Sequence, residues 1–74
     1  MALGDKIKAA RESAGLTQEE LGKRCGTTKQ TIYKYETGIV TNIPIDRLET
    51  IASVVGVPTA SLLGWEKSEN KQHQ

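Results

Sequence analysis

The sequence contains few of the residues that form disulfides, metal sites or membrane spans. Among its 74 residues there are one cysteine and one histidine. One cysteine excludes an internal disulfide, and one Cys with one His leaves no metal-ligand spacing, so neither a metal nor another cofactor is expected. No apolar run approaches the roughly 20 residues of a membrane span, and the charged N-terminal stretch is unlike a signal peptide. A reducing cytoplasm is therefore expected.

An excess of either charge is also missing. Ten Lys and Arg residues stand against nine Asp and Glu residues, for a formal net charge of +1. Residues 1–38 carry seven bases and five acids, whereas residues 39–74 carry three bases and four acids. Because DNA-binding domains are typically more basic, composition alone does not indicate DNA binding. No nucleophile–base pair, carboxylate pair or phosphate-cradling glycine loop is evident either, so an enzyme is not expected.

What the sequence does contain is a series of short helical patterns, which predicts an all-α fold. Apolar residues recur at helical spacing along the chain, and Gly or Pro residues separate the segments. The five helices are predicted at residues 3–13, 17–25, 28–37, about 45–56, and from Pro58 to near Gly64-Trp65. Residues 66–74 contain no apolar side chain and are expected to be a disordered tail or linker after a domain of residues 1–65.

The second and third helices are separated by a very short turn. Thr17 and Glu20 have the spacing of a capping box at the start of the second helix, and Thr28 is expected to cap the third. Two helices this close must cross tightly, which favours small residues such as Gly22 and the turn residue Gly26. These features predict a helix-turn-helix unit, whose second helix can enter the major groove of DNA.

The third helix has two chemically different faces. Ile32 anchors the predicted inward face, which also contains Thr28, Tyr35 and Glu36. The opposite face carries Lys29, Gln30, Tyr33, Lys34 and Thr37. On an isolated helix this would be an ordinary solvated surface. In a helix-turn-helix it favours DNA contact, because such side chains can bind base edges in the major groove.

These residues and motifs resemble the phage lambda repressor and Cro family, the XRE-type helix-turn-helix domains. The resemblance covers roughly residues 3–65 and lies in IKAARESAGLTQEELGKRCGTTKQTIYKYETG, followed by LETIASVVGV and SLL. It implies a compact five-helix DNA-binding domain in which helices 2 and 3 form the helix-turn-helix. The sequence departs from the family at the loop IVTNIP after Gly38, which lacks Lys and Arg, and at Tyr33, where a small residue is common. Fewer phosphate contacts are therefore expected in this loop.

The resemblance also implies roles for individual residues. Base-reading positions correspond to Lys29, Gln30, Tyr33 and Lys34; lysine suits guanine and glutamine suits adenine. Contacts with DNA phosphates are implied for Thr17, Gln18, Thr28, Thr37, Thr41 and Asn42. Arg11 and Glu36 correspond to a structural ion pair between the first and third helices.

Several other residues have both a structural and a functional interpretation. Tyr35 is expected in the core rather than on DNA. Cys25 is expected to be a small buried apolar residue rather than a redox switch. Leu62, Leu63 and Trp65 could pack in the core or form a dimer seam, and Trp65 is the better dimer candidate.

The function predicted from these observations is sequence-specific binding of double-stranded DNA by a bacterial or phage transcriptional regulator, with repression as the expected activity. A homodimer on a near-palindromic operator is expected, with recognition helices about one DNA turn (~34 Å) apart. The polar tail fits a natural C-terminus or a linker to a C-terminal effector domain or partner protein. Two alternatives remain open, an antitoxin of a toxin–antitoxin pair and a protein-interaction module that keeps the fold without DNA binding. The expected location is cytoplasmic and nucleoid-associated.

Overall fold

A computed structural model describes residues 2–63, and in this range it contains five α-helices and no strand. The helices are α1 Leu3–Ser13, α2 Gln18–Arg24, α3 Lys29–Thr37, α4 Ile45–Val55 and α5 Thr59–Leu63. The predicted all-α fold is confirmed. Both ends of each of the helices α1 to α4 lie within one residue of the predicted positions. None of the five helices is long and apolar enough to cross a membrane. The predicted tail 66–74 lies outside the described residues.

Threonines begin the two central helices because their side-chain oxygens satisfy backbone N–H groups of the first turn. Thr17 Oγ1 accepts a hydrogen bond from the backbone N–H of Glu20 at 3.0 Å, and Glu20 Oε1 accepts one from the N–H of Thr17 at 2.9 Å. Thr28 Oγ1 accepts from the N–H of Thr31 at 3.2 Å. As the cap, Thr28 precedes the first turn of α3 and is exposed. Its predicted place on the inward face was therefore wrong.

The turn between α2 and α3 contains a glycine in the left-handed region. Gly26 has a φ of +74°, a conformation that costs residues with a Cβ atom roughly 1–2 kcal/mol. The backbone N–H of Thr27 donates to the carbonyl of Gly22 at 2.8 Å and closes the turn. The predicted requirement for glycine at position 26 thus follows from backbone conformation, because a Cβ atom there would meet no neighbouring atom within 4 Å.

The hydrophobic core receives side chains from all five helices. Its buried members are Ile7, Leu21, Ile32, Tyr35, Leu48, Ile51, Ala52 and Leu62. α3 packs against both α1 and α2, and these contacts hold it from two sides. Tyr35 belongs to this core, as predicted.

Two glycines allow α3 to lie unusually close to its neighbours. A Cβ atom on Gly22 of α2 would lie 2.8 Å from the carbonyl carbon of Thr28. A Cβ atom on Gly4 of α1 would lie 2.5 Å from the carbonyl oxygen of Tyr35. The first contact was predicted from the short turn, but the second was not, because Gly4 and Tyr35 are distant in sequence.

Three further predictions concern the packing of side chains around the core. Leu62 is a core residue, so it is not available for the dimer seam that was one of its two interpretations. Leu63 packs partly against the core, and Trp65 lies outside the described residues. Cys25 is half buried rather than fully buried, and it also packs against the core.

Candidate nucleic-acid interface

The two faces of α3 differ sharply in burial. Ile32, Tyr35 and Glu36 are buried. The residues predicted to read bases, together with one predicted phosphate contact, are all exposed: Lys29, Gln30, Tyr33, Lys34 and Thr37. Residues three or four apart are neighbours on a helix surface, so these five form one continuous polar surface, which we call the α3 outer face.

Tyr33 lies at the centre of the α3 outer face and is 49% exposed. Its backbone carbonyl accepts a hydrogen bond from the Thr37 hydroxyl at 2.8 Å. In this rotamer the hydroxyl hydrogen of Thr37 points to the helix itself. Thr37 would have to rotate before it could donate to a DNA phosphate. The phenol ring of Tyr33, by contrast, is already open to a ligand.

At the start of α2, in contrast to Thr37, the hydroxyl hydrogen of Thr17 is not used within the helix. The Thr17 hydroxyl accepts the capping hydrogen bond from Glu20, so its own hydrogen remains free to donate to an anion. At the start of α3, the hydroxyls of Thr28 and Thr31 lie 3.1 Å apart and share one hydrogen bond, in which either can be the donor. The hydroxyl hydrogen of Thr28 is therefore free for a phosphate only when Thr31 is the donor.

Gln18 contacts the buried ion pair. Arg11 Nε donates to Glu36 Oε2 at 2.6 Å, and Arg11 Nη2 donates to Glu36 Oε1 at 3.1 Å. The structure therefore contains the ion pair that the resemblance implied between α1 and α3. Gln18 Nε2 donates to the same Glu36 Oε1 at 3.0 Å. Nothing in the sequence pattern had indicated this third partner.

Hydrogen bonds and burial shift the pKa values of three side chains in or near α2. The hydrogen bond with Glu36 is the main cause that raises the pKa of Arg11 above its ordinary value. The backbone N–H of Thr17 lowers the pKa of the Glu20 carboxyl. Burial raises the pKa of the Cys25 thiol, which favours the neutral form over a reactive thiolate.

A shallow depression of about 450 Å³ lies beside the start of α2. It is lined by Arg11, Leu16, Thr17, Gln18, Glu19 and Lys29. The depression brings two predicted phosphate contacts, Thr17 and Gln18, next to the predicted base-reading residue Lys29. These three residues come from two different helices, and only the crossing of α2 and α3 places them together.

Residues 39–45, which comprise the loop after α3 and the first residue of α4, carry no charge. Thr41 and Asn42, both predicted phosphate contacts, are exposed. Ile39 is 64% exposed and Ile45 is 57% exposed. Sequence reasoning identified the missing charges and did not identify these two apolar side chains as surface residues. No local sequence signal separates these two from Ile43, which packs partly against the core.

Within residues 2–63 no group of His, Cys, Asp and Glu side chains is placed to hold a metal ion. Every buried side-chain nitrogen and oxygen in this range has a hydrogen-bond partner. The polar chemistry that remains available in this range is therefore on the surface, and the α3 outer face is part of it.

Comparison with known proteins agrees with this arrangement. A helix-turn-helix family model matches residues 7–62. An uncharacterized HTH-type transcriptional regulator of Sinorhizobium medicae (strain WSM419) is 36% identical over 58 residues, which are 78% of this chain and 41% of that protein. The HTH-type transcriptional regulator SinR of Bacillus licheniformis is 32% identical over 69 residues, which are 93% of this chain and 61% of that protein.

A solved structure has the same fold. The crystal structure of SinR, the master regulator for biofilm formation, in complex with DNA matches with a TM-score of 0.78 and 31% sequence identity. The match covers 82% of this chain and 97% of that chain.

The chain belongs to the helix-turn-helix family of the lambda repressor-like, XRE type. It is a domain of the kind found in transcriptional regulators. It spans about two fifths of the length of the Sinorhizobium relative and about three fifths of the Bacillus relative.

Proposed function

We propose that this chain binds double-stranded DNA sequence-specifically, as the DNA-binding domain of a bacterial or phage transcriptional repressor. The observation that carries the proposal is the α3 outer face, where five polar side chains are exposed on a helix held between α1 and α2. An α-helix fits the major groove, and lysine and glutamine are suited to its base edges. The SinR structure with bound DNA supports the proposal, because its domain has the same fold.

In this proposal the base contacts and phosphate contacts come from different elements. Lys29, Gln30, Tyr33 and Lys34 would read bases, whereas phosphates would be bound at the start of α2, by Thr17 and Gln18. Thr28, Thr37, Thr41 and Asn42 would add further phosphate contacts along the same edge. Phosphate contacts determine how the protein is oriented on the duplex, and base contacts determine which sequence it prefers.

The proposed active form is a homodimer on a near-palindromic operator. A single small DNA-binding domain buries little surface, so two linked domains would supply affinity that one lacks. The greater length of the relatives leaves room for a C-terminal effector or dimerisation domain. Leu63 and Trp65 remain candidates for a seam between two copies. The proposed location is cytoplasmic, on the nucleoid.

Fluorescence anisotropy with labelled duplexes tests the proposal. The DNA upstream of the gene is compared with a scrambled duplex at two salt concentrations. We expect tighter binding to the upstream fragment, and weaker binding to both duplexes at higher salt, because phosphate contacts release counterions. Lys34→Ala should weaken binding, whereas the matched control Lys8→Ala, on a helix outside the motif, should not. The absence of binding by the folded protein at low salt would overturn the proposal.

A second candidate function is a protein-interaction module with the same fold. The observation that favours it is the uncharged loop after α3, with the exposed side chains of Ile39 in the loop and Ile45 at the start of α4. Isolated exposed apolar residues are common on protein surfaces, so this observation weighs less than the α3 outer face. If the folded protein binds no DNA at low salt, that result would favour the interaction module.

A further inference from the structure

The side-chain amide of Gln18 links the start of α2 to α3. Its Nε2 lies 3.0 Å from Oε1 of Glu36, eighteen residues further along the chain. Gln18 is the first residue of α2, and Glu36 lies in the last turn of α3. One hydrogen bond therefore connects the proposed phosphate site with the recognition helix.

The acceptor of this hydrogen bond is held in place from its other side. The Glu36 side chain is only 2% exposed, and Arg11 binds both of its carboxylate oxygens. Arg11 Nη1 also donates to the carbonyl of Leu16 at 2.8 Å, in the segment between α1 and α2. Gln18 is thus bonded to a fixed, buried group and not to a flexible surface side chain.

The chemistry of a primary amide allows Gln18 to bind two partners at once. The NH₂ group has two donors, and among residues 2–63 Glu36 is the only hydrogen-bond partner of the Gln18 side chain. Gln18 is half buried and lines the open depression together with Thr17 and Lys29. One donor is therefore occupied, and the other has no partner among residues 2–63, in a side chain that borders the open depression.

We propose that Gln18 donates one amide hydrogen to Glu36 and the other to a DNA phosphate, and so couples the phosphate contact to the position of α3. Glu36 is then a positioning residue, because it acts on DNA only through Gln18 and α3. The inference rests on the proposed function, and it adds a specific dependence between the two parts of the interface.

The charge balance of the buried ion pair is consistent with this role. A phosphate close to an unpaired carboxylate would be repelled, but Arg11 balances the charge of Glu36. Gln18 itself is neutral and contributes directed donors. A glutamate at the same position would lose both donors and place a second carboxylate against Glu36.

The test uses two substitutions, Gln18→Met and Gln30→Met, in DNA binding and thermal unfolding. Methionine keeps the length of the side chain and removes the amide. We expect Gln18→Met to weaken binding about tenfold or more, the usual range for a hydrogen bond to a charged group, and equally on every DNA sequence. The matched control Gln30→Met should instead change the preference among sequences.

The amide signals of Gln18 in NMR spectra give the second measurement, which does not depend on the stability of a variant. In the free protein one Nε2 hydrogen should be protected from exchange by Glu36. When a duplex is added, the other hydrogen should shift while the protected one stays protected. A purely structural glutamine would show the first behaviour without the second.

The outcomes separate this inference from the proposed function. If the unaltered protein binds DNA and Gln18→Met binds equally well, the inference fails and the proposed function stands. The inference also fails if DNA releases the protected hydrogen, since Gln18 would then exchange Glu36 for phosphate. If the unaltered protein binds no DNA, the proposed function fails, and this inference fails with it.

Discussion

The buried face and the outer face of α3 belong to the same nine-residue helix and yet have almost opposite composition. The buried face contacts α1 and α2 through Ile32, Tyr35 and Glu36. The outer face carries long polar side chains and has no large apolar residue except Tyr33. The residues that stabilise the fold and the residues proposed to contact DNA therefore lie on opposite sides of this helix. Substitutions on one face should leave the property of the other face nearly unchanged.

Glu36 makes the comparison less simple, because it is a charged residue on the buried face. A buried ion pair contributes little net stability compared with apolar packing, although removing one partner is costly. Glu36 also binds Gln18, which lies at the edge of the proposed DNA surface. This single carboxylate therefore connects the two faces that are otherwise separate.

The largest expected effect follows from Glu36→Ala. The substitution leaves the buried guanidinium of Arg11 without its partner, so we expect a loss of about 3–5 kcal/mol in the free energy of unfolding. Chemical denaturation followed by circular dichroism measures it, with Glu49→Ala on the exposed side of α4 as the control. A loss similar to that of the control would mean that the ion pair does not support the buried face.

Gly4→Ala tests whether the close approach of α1 and α3 is needed. Helix propensity alone predicts that alanine stabilises α1 by roughly 0.5–1 kcal/mol. The new Cβ atom would, however, lie 2.5 Å and 2.6 Å from the carbonyl oxygens of Tyr35 and Glu36. We therefore expect destabilisation by about 1–3 kcal/mol, as for other overpacked sites.

The sign of this change is decisive, and thermal unfolding is sufficient to measure it. Ser13→Ala, at the exposed end of the same helix, serves as the control for propensity. A Gly4→Ala variant more stable than the original protein would show that α1 can move away from α3 at little cost.

Gln30→Ala tests the outer face. Gln30 is exposed, so we expect the unfolding temperature to stay unchanged. If Gln30 reads a base, the preference for the correct sequence should fall by about 1–3 kcal/mol, while binding to unrelated DNA stays constant. Binding constants on a matched and a mismatched duplex measure this difference. Equal losses on both duplexes would make Gln30 a backbone contact.

The smallest effect is expected from acid titration of Glu20, which lies on neither face of α3. Its pKa is lowered in the folded protein by the N–H of Thr17. A lowered folded pKa means that the stabilisation is complete above the ordinary pKa of glutamate and is lost as the pH falls through the lowered value. The difference in unfolding free energy between the original protein and Glu20→Gln should therefore shrink at low pH. A constant difference would contradict this role of the carboxylate.

The sequence predicted local features well and distant contacts poorly. The capping box of Thr17 and Glu20 was predicted correctly, since both residues lie in one helical turn and need no other element. Gly4 was missed because nothing near it in sequence marks a contact with α3. Thr28 was placed on the wrong side for a related reason. A helical wheel assigns a face to the cap residue, although its backbone is extended rather than helical.

The roles proposed for the α3 outer face depend on two different predictions. The pattern of polar residues predicted their exposure, and the family resemblance implied their contacts with bases. All four base-reading candidates are exposed, but exposure is also what an ordinary solvated helix face would have. Their assignment to bases stays a prediction until binding is measured.

The sequence by itself determined the helices, the capped starts of α2 and α3, the glycine at the turn and the two chemical faces of α3. These depend on side chains and backbone groups a few residues apart, where spacing alone decides which atoms meet. The tertiary structure decided that Gly4 lies against α3, that Gln18 meets Glu36, and that Thr17 and Lys29 share one depression. Those contacts join residues from different helices. They depend on how helices pack around a common core, and no local pattern specifies that packing.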